Sequence, residues 1–395
     1  MGKKITRRQA ITRTSMALGG TLLSNLGLAL AAPTGAKSGP RPNILLLIAN
    51  GWSWQGSEAV DRLGLRMPTF ARLQREGISF ENAFVASPDA QLPCVDLLKQ
   101  SGYAVASGDF DAFPTKRTAG KPLLFCLEAK SPYRRSNAPV DSANPVVPPY
   151  LPDTPAVRGD IAAYRSKIER FDREAGLLID RLQRAGQLSN TVVVMTGKGG
   201  WPLPRGEGTL YDAGTHVPLV VMYPEGIGGG RISKALVDSA DLAAIVLDVA
   251  GASQRATISG RPFVLTASEG YPARAIRTPR YLYIRNAFPD RWPAGTPAQQ
   301  AITPAQLDSD VNAAFAGIAP GPTKTAMIVG RGDPAMDRLL DLATAKRPAA
   351  ELYDVRADPY QLTNLAADPT MKTTVEHLEL QLMAGLPRTG DHLSD

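Results

Sequence analysis

Small and polar residues follow two apolar segments of the chain, where an enzyme of open-sheet architecture places its chemistry. Asn50 and Gly51 follow the apolar run 43–48, and Lys198 and Gly199 follow the apolar run 191–196. If both runs are parallel strands, these residues meet at the carboxyl edge of the sheet, where ligands bind in such folds. Asn50 alone has a side-chain oxygen among the four, and the ammonium of Lys198 would repel a divalent cation.

Groups that could act as nucleophile or base are few. The chain has two cysteines, and Cys94 could attack only as a thiolate, with no histidine nearby in sequence. We therefore interpret Cys94 as an ordinary, unmodified cysteine. Asp109 and Asp111 could work as a carboxylate pair, as in hydrolytic enzymes, or could simply form a polar turn. Of three histidines only His216 lies outside the C-terminal region, so general acid–base catalysis by histidine is hard to assemble.

Strand-like and helix-like segments alternate along the chain, which predicts an α/β fold with a mainly parallel sheet. The strand-like segments are rich in Val, Ile and Leu, as expected of strands that are covered on both faces. Cys126 lies inside one of them and is interpreted as a buried strand residue. The predicted strands are residues 43–48, 123–127, 191–196 and 217–223.

The clearest helix lies between the second and third of these strands. Thr154-Pro155 is a typical helix start and Gly186 a typical stop. A second helix is predicted for residues 237–250. The apolar positions of the first helix recur at spacings of three and four and form one core-facing stripe: Ile161, Tyr164, Ile168, Phe171, Ala175, Leu178 and Leu182.

The composition and pattern of the sequence change near residue 271. Two β-rich segments, 274–277 and 280–285, precede a stretch rich in Pro and Ala at 287–323, and a last helix is predicted near 371–383. We therefore predict an α/β domain over residues 32–270 and a smaller C-terminal α+β subdomain over residues 271–395.

The N-terminal segment 1–31 is typical of a twin-arginine export signal. Arg7 and Arg8 precede a moderately apolar stretch, and Ala29 and Ala31 stand where a signal peptidase cleaves. The alternative is a membrane anchor, but Gly, Ser and Asn interrupt the apolar run, and a bilayer span needs about 20 mostly apolar residues. The sequence predicts a periplasmic or secreted protein without a membrane span in the mature chain.

Removal of the signal changes the charge balance. Residues 1–31 contain five basic and no acidic residues, so their loss lowers the formal net charge from +7 to +2. A nucleic-acid-binding protein needs basic residues clustered on a folded face, and the nearly balanced mature chain argues against nucleic acid as a partner. Two cysteines exclude a disulfide framework but permit a single bridge.

The loops after the two strands, together with five further blocks, carry a family resemblance. Residues 41–44 read R-P-N-I, and the chain resembles sulfatases of the alkaline-phosphatase superfamily, especially bacterial relatives of the N-sulfoglucosamine sulfohydrolase type. The resemblance implies a mainly parallel sheet flanked by helices, plus a small C-terminal antiparallel sheet with a helix. The five blocks, in family order, are 80–84, 147–155, 204–215, 277–286 and 351–354.

The resemblance also identifies positions at which this chain departs from the family. Its calcium ion is held by two aspartates after the first strand and by an Asp-His or Asp-Asn pair after the later one. These four positions fall on Asn50, Gly51, Lys198 and Gly199. Calcium takes six to eight oxygen ligands, with carboxylates supplying the charge, so we predict that calcium is absent.

The nucleophile and anion-binding positions depart as well. In the family motif C-x-P-x-R the cysteine becomes formylglycine, and an ungapped comparison from Ala86-Ser87-Pro88 places Ala90 there, with Cys94 at the arginine. We therefore predict that formylglycine is also absent. Family groups that hold the sulfate and protonate the leaving oxygen fall on Asp109, Asp111, Tyr133 and Glu207, which would bring negative charge near an anionic substrate.

These replacements permit two interpretations. In a charge exchange, Lys198 fills the space of the cation and pairs with Asp109 or Glu207, which leaves a metal-free pocket with satisfied charges. In the other interpretation, the residues changed independently after activity was lost and are solvated on loops.

The leading hypothesis is a pseudo-sulfatase whose catalytic and metal sites are not intact and which has a non-catalytic role, binding a glycan or another protein. Its rival is a hydrolase of sulfate esters or related bonds with an altered, metal-independent site that uses Cys94 or the pair Asp109/Asp111. The orderly apolar patterning of the helices and strands indicates that the folded protein has a use.

Overall fold

The structure is a computed structural model of the chain. It describes residues 40–54, 65–86, 94–108, 121–129, 145–206, 208–251, 264–268, 270–298 and 302–385.

A seven-stranded sheet forms the centre of the molecule, with strand order β3-β4-β1-β5-β6-β2-β7. Its pairs are parallel except those of β6, which runs antiparallel to both β5 and β2. The predicted mainly parallel sheet is therefore confirmed. The strands are β1 (Asn43–Asn50), β2 (Ile78–Phe84), β3 (Ala104–Gly108), β4 (Leu123–Ala129), β5 (Thr191–Lys198), β6 (His216–Met222) and β7 (Arg231–Asp238).

The central strand β1 is buried on both faces. Leu45 and Leu47 pack into the apolar core on one side of the sheet, whereas Ile44 and Leu46 pack into the core on the other side. Successive side chains of a strand point to opposite faces, so a strand between two cores needs apolar residues at every position. This explains the unbroken apolar run that predicted the strand.

The helices on this sheet include the long one that the sequence predicted. Thr154 caps it, accepting a 3.3 Å hydrogen bond from the Val157 amide, and Gly186 follows its end with φ +63°. None of the described helices combines the length and the hydropathy of a membrane span. The helices are α1 (Pro68–Glu76), α2 (Cys94–Gln100), α3 (Pro155–Arg184), α4 (Asp212–Thr215) and α5 (Ser239–Val249).

The predicted start of the second helix is wrong by two residues. Val237 and Asp238 belong to β7, where they pair with Ala83 and Phe84 of β2. The helical pattern of apolar residues runs into the strand without a break, and only the pairing with a distant strand fixes the boundary.

A smaller antiparallel sheet has the order β11-β10-β9-β8. The last helix packs against it through Leu378 and Leu382, as the sequence predicted. Strand β8 precedes residue 271 and still belongs to this sheet. The remaining elements are β8 (Val264–Ser268), β9 (Ala273–Arg277), β10 (Tyr281–Asn286), α6 (Pro304–Ser309), α7 (Pro322–Val329), α8 (Pro334–Thr344), β11 (Ala350–Asp354), a 3-10 turn (Pro369–Met371) and α9 (Lys372–Gly385).

Helices α6, α7 and α8 were not predicted. They lie in and after the Pro- and Ala-rich stretch, and Leu307, Met327 and Leu340 join the core on the α3 side of the large sheet. Each helix begins with proline, which suits the first helical position because no hydrogen-bond donor is lost there.

Two aspartates on the buried side of α3 connect it to other helices. The Asp172 carboxylate accepts hydrogen bonds from the amides of Thr69 and Phe70 at the start of α1, at 2.9 and 2.8 Å. The Asp160 carboxylate accepts hydrogen bonds from the amide and hydroxyl of Thr323 at the start of α7, at 3.0 and 2.6 Å. Neither α1 nor α7 has a side-chain cap from its own N-cap residue. The long helix therefore supplies caps that its neighbours lack.

Candidate functional site

The carboxyl ends of β1 and β5 bring the four predicted metal-position residues together. Asn50 pairs in register with Lys198, and the Gly51 amide donates a 2.7 Å hydrogen bond to the Lys198 carbonyl oxygen. Gly199 follows directly in the chain. These four residues, from here on the β1–β5 corner, occupy the sheet edge at which open α/β folds bind ligands.

Both glycines of the corner adopt left-handed backbone conformations, with φ +80° at Gly51 and +68° at Gly199. Glycine adopts this region without steric cost, and Asn and Asp also tolerate it better than other residues. The backbone therefore does not by itself explain why no carboxylate stands at either position. Neither glycine can supply a side-chain ligand.

The Lys198 ammonium pairs with a carboxylate that the sequence did not indicate. Its Nζ lies 3.0 Å from Oε1 of Glu128, near the end of β4 on the other side of β1. Asp109 and Glu207, the partners proposed above, lie outside the described residues. The sequence did not lead us to predict Glu128. It is the single charged residue in the apolar strand Leu123–Ala129, and this could have marked it as a candidate.

A cavity of about 210 Å³ opens beside this ion pair. Phe84, Val95 and Leu242 form apolar walls, and Cys126 also lines it. Cys126 lies in a strand, as predicted, but it is half-buried rather than buried, because its side chain faces the cavity.

The Cys126 thiol is free and is not activated. Burial, and next the Glu128 carboxylate, raise its pKa to about 11, against the opposing effect of Lys198. Only the thiolate is strongly nucleophilic, so this cysteine is mostly protonated and unreactive at neutral pH.

The corner does not fit the calcium ion that the fold family implies. Its donor set contains one amide oxygen and one ammonium group, whereas calcium needs several charged oxygen ligands. In the described ranges, no group of three or more His, Cys, Asp or Glu side chains is placed to hold a metal. These residues therefore do not support a calcium-dependent reaction step.

A stack of aromatic rings lies next to the corner. The His216 imidazole is sandwiched between the Trp54 ring at 5.0 Å and the Phe84 ring at 4.5 Å, both nearly parallel to it. Its Nε2 lies 2.8 Å from the Glu81 carbonyl oxygen, to which it donates in the matching tautomer. Burial lowers the pKa of His216 to about 4, so the imidazole is neutral at neutral pH. The ring has a packing role.

A buried ion pair connects this region to the small sheet. The Arg277 Nε and Nη2 atoms of β9 each donate a 3.0 Å hydrogen bond to the Asp212 carboxylate of α4. The two side chains are 8% and 13% exposed. Burial raises the pKa of Asp212, but the Arg277 guanidinium more than offsets this and holds that pKa below its usual value. Arg277 also lies over the Phe84 ring at 5.3 Å.

The remaining predicted positions fall largely outside the described residues. Cys94 is the first residue of α2, but its side chain is not described. His377 is exposed on α9. The positions outside the described residues are Ala90, Asp109, Asp111, Tyr133 and Glu207.

Comparison with known proteins identifies sulfatases as similar proteins. The family model named Sulfatase matches residues 115–252. This part of the chain is therefore similar to the sulfatase family. The sulfatase-like chain is 25% identical over 268 residues to an ulvan-active sulfatase of Formosa agariphila, covering 62% of the chain and 41% of that protein. It is 30% identical over 284 residues to human N-sulphoglucosamine sulphohydrolase, covering 61% of the chain and 50% of that enzyme. The chain thus spans about half or less of these relatives' length.

Solved structures share the fold of this sulfatase-like chain. A protein in complex with its substrate D-glucosamine-2-N,6-O-disulfate superposes with a TM-score of 0.56 at 14% identity, covering 87% of the chain and 97% of that structure. A phosphonate monoester hydrolase of Agrobacterium radiobacter gives 0.53 at 13% identity, covering 87% and 95%. At these identities the likeness shows the fold alone, which is the alkaline-phosphatase-like architecture expected from the sequence.

The Lys198–Glu128 pair gives a first test of the charge-exchange hypothesis. Substituting Lys198→Met should lower the free energy of unfolding by about 0.5–1 kcal/mol, since the lysine side chain is 25% and the glutamate side chain 42% exposed and solvent screens the pair. Lys372→Met is the matched control, because Lys372 lies 3.9 Å from Glu376 with side chains 77% and 60% exposed. Urea denaturation measures both variants. Equal losses would mean that the pair contributes nothing beyond a surface contact.

Proposed function

We propose that this sulfatase-like chain does not hydrolyse sulfate esters by the calcium- and formylglycine-dependent route and instead has a binding role. The main support for this proposal is the arrangement of residues at the β1–β5 corner. There Lys198 stands opposite Asn50, pairs with Glu128, and has glycines as its neighbours. An ammonium held in this corner opposes binding of a divalent cation by direct repulsion.

The positions of the catalytic groups support the same proposal. By family resemblance Ala90 replaces the cysteine that becomes formylglycine, and alanine has no group to attack a sulfur atom. Asp109 and Glu207 stand where the family has groups that hold the sulfate, and carboxylates disfavour an anion. The free thiol in the described cavity, Cys126, is protonated at neutral pH.

The proposed ligand is a glycan, with another protein as the alternative partner. Relatives carry names that refer to ulvan and to N-sulphoglucosamine, both carbohydrates that carry sulfate. The proposal places the protein in the periplasm or outside the cell, which the twin arginines Arg7 and Arg8 support.

Turnover and metal content test the proposal directly. The purified chain is incubated with 4-methylumbelliferyl sulfate and with glucosamine N-sulfate, and bound calcium is measured by plasma mass spectrometry. We expect release of sulfate no faster than in a blank without protein, and much less than one calcium ion per chain. An active sulfatase of the same family, assayed in parallel, is the positive control. Stoichiometric calcium, or turnover above the blank, would overturn the proposal.

A further inference from the structure

A second cavity, of about 480 Å³, lies between the loop after β5 and one end of the small sheet. Leu203 and Arg205 line it from the loop, and Asn286 and Glu351 line it from the sheet, with residues 291–295 and 316–319 forming a further wall. It shares no lining residue with the cavity at Lys198. Its volume falls within the range of about 300–1,000 Å³ that small-molecule sites occupy.

Two arginines are held side by side in this cavity. The Arg205 and Arg347 guanidinium groups both donate hydrogen bonds to the Leu342 carbonyl oxygen, at 2.7 and 2.8 Å. Arg205 is 3% exposed, donates also to the Gln361 carbonyl oxygen, and lies 3.9 Å from the centre of the Tyr211 ring. Two positive charges held this close repel each other unless a negative charge lies beside them.

Arg205 also has an unusual backbone conformation. Its φ is +69°, in the left-handed region that residues with a Cβ rarely adopt. Such strain persists only where the surrounding structure imposes it, and it concentrates at ligand-binding positions. The fold therefore holds the Arg205 side chain in the cavity at a cost to the backbone.

The described part of the lining supplies only part of the counter-charge. Glu351 is the single carboxylate among the described lining residues, and it is 3% exposed. Its oxygens accept hydrogen bonds from the hydroxyls of Tyr211 and Tyr353 and from the Asn286 amide, at 2.7, 2.6 and 2.8 Å. Glu351 attracts the Arg347 guanidinium, but within the described ranges it forms no ion pair with either arginine, and Arg291 adds a third cation to the lining. Among the described lining residues, three cations face one carboxylate, and this excess of positive charge is complementary to an anion.

The aromatic part of the lining suits a ring. Tyr271 and Trp292 line the cavity, and the Lys346 ammonium lies 5.6 Å from the centre of the Trp292 ring. Aromatic side chains offer a large apolar surface beside polar groups, which is the composition of small-molecule sites. We propose that this cavity binds a sugar unit carrying a carboxylate or sulfate group, with the anion at Arg205 and Arg347 and the ring against the aromatic wall. The inference rests on the proposed glycan-binding role and gives it a location.

Calorimetric titration of the purified chain tests the site. Glucuronate and glucosamine N-sulfate are the two anionic probes, which distinguish carboxylate from sulfate, and glucose is the neutral control. We expect at least one anionic probe to bind and glucose not to bind. Arg347→Gln should weaken binding by about tenfold or more, because hydrogen bonds to charged groups are lost. Arg291→Gln, at an exposed position, should weaken it by a smaller factor and serves if the first variant does not fold.

The matched control is Arg338→Gln, the same change on the exposed face of α8, which should leave affinity unchanged. Equal affinity in the Arg347, Arg291 and Arg338 variants would overturn this location and leave the proposed function standing. Absence of binding by both anionic probes at about 10 mM would overturn the site itself. Failure of the proposed function is seen separately, as turnover or bound calcium.

Discussion

The Arg277→Met variant is expected to lose about 3–5 kcal/mol of unfolding free energy, because it leaves the Asp212 carboxylate buried without its partner. Arg277 donates two 3.0 Å hydrogen bonds to this carboxylate and connects the small sheet to the helix that precedes β6. Methionine keeps most of the side-chain volume, so the loss reports the charge rather than a cavity. Urea denaturation at neutral pH measures it.

Arg280→Met is the matched control for this prediction. Arg280 pairs with Asp354 at 2.8 Å, but its side chain is 55% exposed and solvent screens the pair, so this variant should lose much less stability than Arg277→Met. The double variant Asp212→Asn/Arg277→Met should be more stable than Arg277→Met alone, since it leaves no buried charge. Similar losses from Arg277→Met and Arg280→Met would contradict the assigned role of burial.

The pH dependence of the same variant has a defined sign. In the native protein Arg277 holds the pKa of Asp212 low, so its stabilisation is present above the usual aspartate value and is lost as pH falls through the folded-state pKa. Without Arg277, burial raises the pKa of Asp212 instead. The deficit of Arg277→Met relative to wild type should therefore shrink as pH falls and the carboxyl becomes protonated.

The Asp172→Ala variant is expected to lose about 2–4 kcal/mol, because it leaves two buried amides without acceptors. Asp172 is fully buried and accepts hydrogen bonds from the amides of Thr69 and Phe70 at the start of α1. Each buried unsatisfied donor costs about 1–3 kcal/mol. Denaturation by urea, followed by circular dichroism, measures the loss.

A surface cap in the same protein provides the control. Asp333 also accepts hydrogen bonds from two helix amides, those of Ala335 at 2.8 Å and Met336 at 3.1 Å, but it is exposed. Water can replace its carboxylate, so Asp333→Ala should cost about 1 kcal/mol. If the two alanine variants lost equal stability, the cap supplied by α3 would be no more than an ordinary surface cap.

Much of helix α3 could be predicted from the local sequence pattern. The sequence predicted its start at Thr154-Pro155, its end at Gly186 and its apolar stripe, because these features depend on neighbours within a few residues. The two buried aspartates on the same helix were not explained by that pattern. Their partners lie 103 and 163 residues away in the chain, so only packing reveals them.

The candidate site also combines features that the sequence predicted with features that it did not. Family resemblance and strand pattern brought Asn50, Gly51, Lys198 and Gly199 to one edge of the sheet, and the structure places the first three in direct register or hydrogen-bond contact. The partner of Lys198 was not predicted, because Glu128 comes from a strand whose order in the sheet is a tertiary property. The paired arginines, Arg205 and Arg347, were missed for the same reason.

By itself the sequence determined the α/β class, the strands that are buried on both faces and the long capped helix, and its family resemblance indicated which residues stand at the β1–β5 corner. These follow from side-chain chemistry and from periodicities of two and 3.6 residues, which are local. The tertiary structure alone decided which charges meet: Lys198 with Glu128, Asp212 with Arg277, and two arginines around an open cavity. Strand order and helix packing bring together residues far apart in the chain, and the energy of a buried charge depends on those contacts.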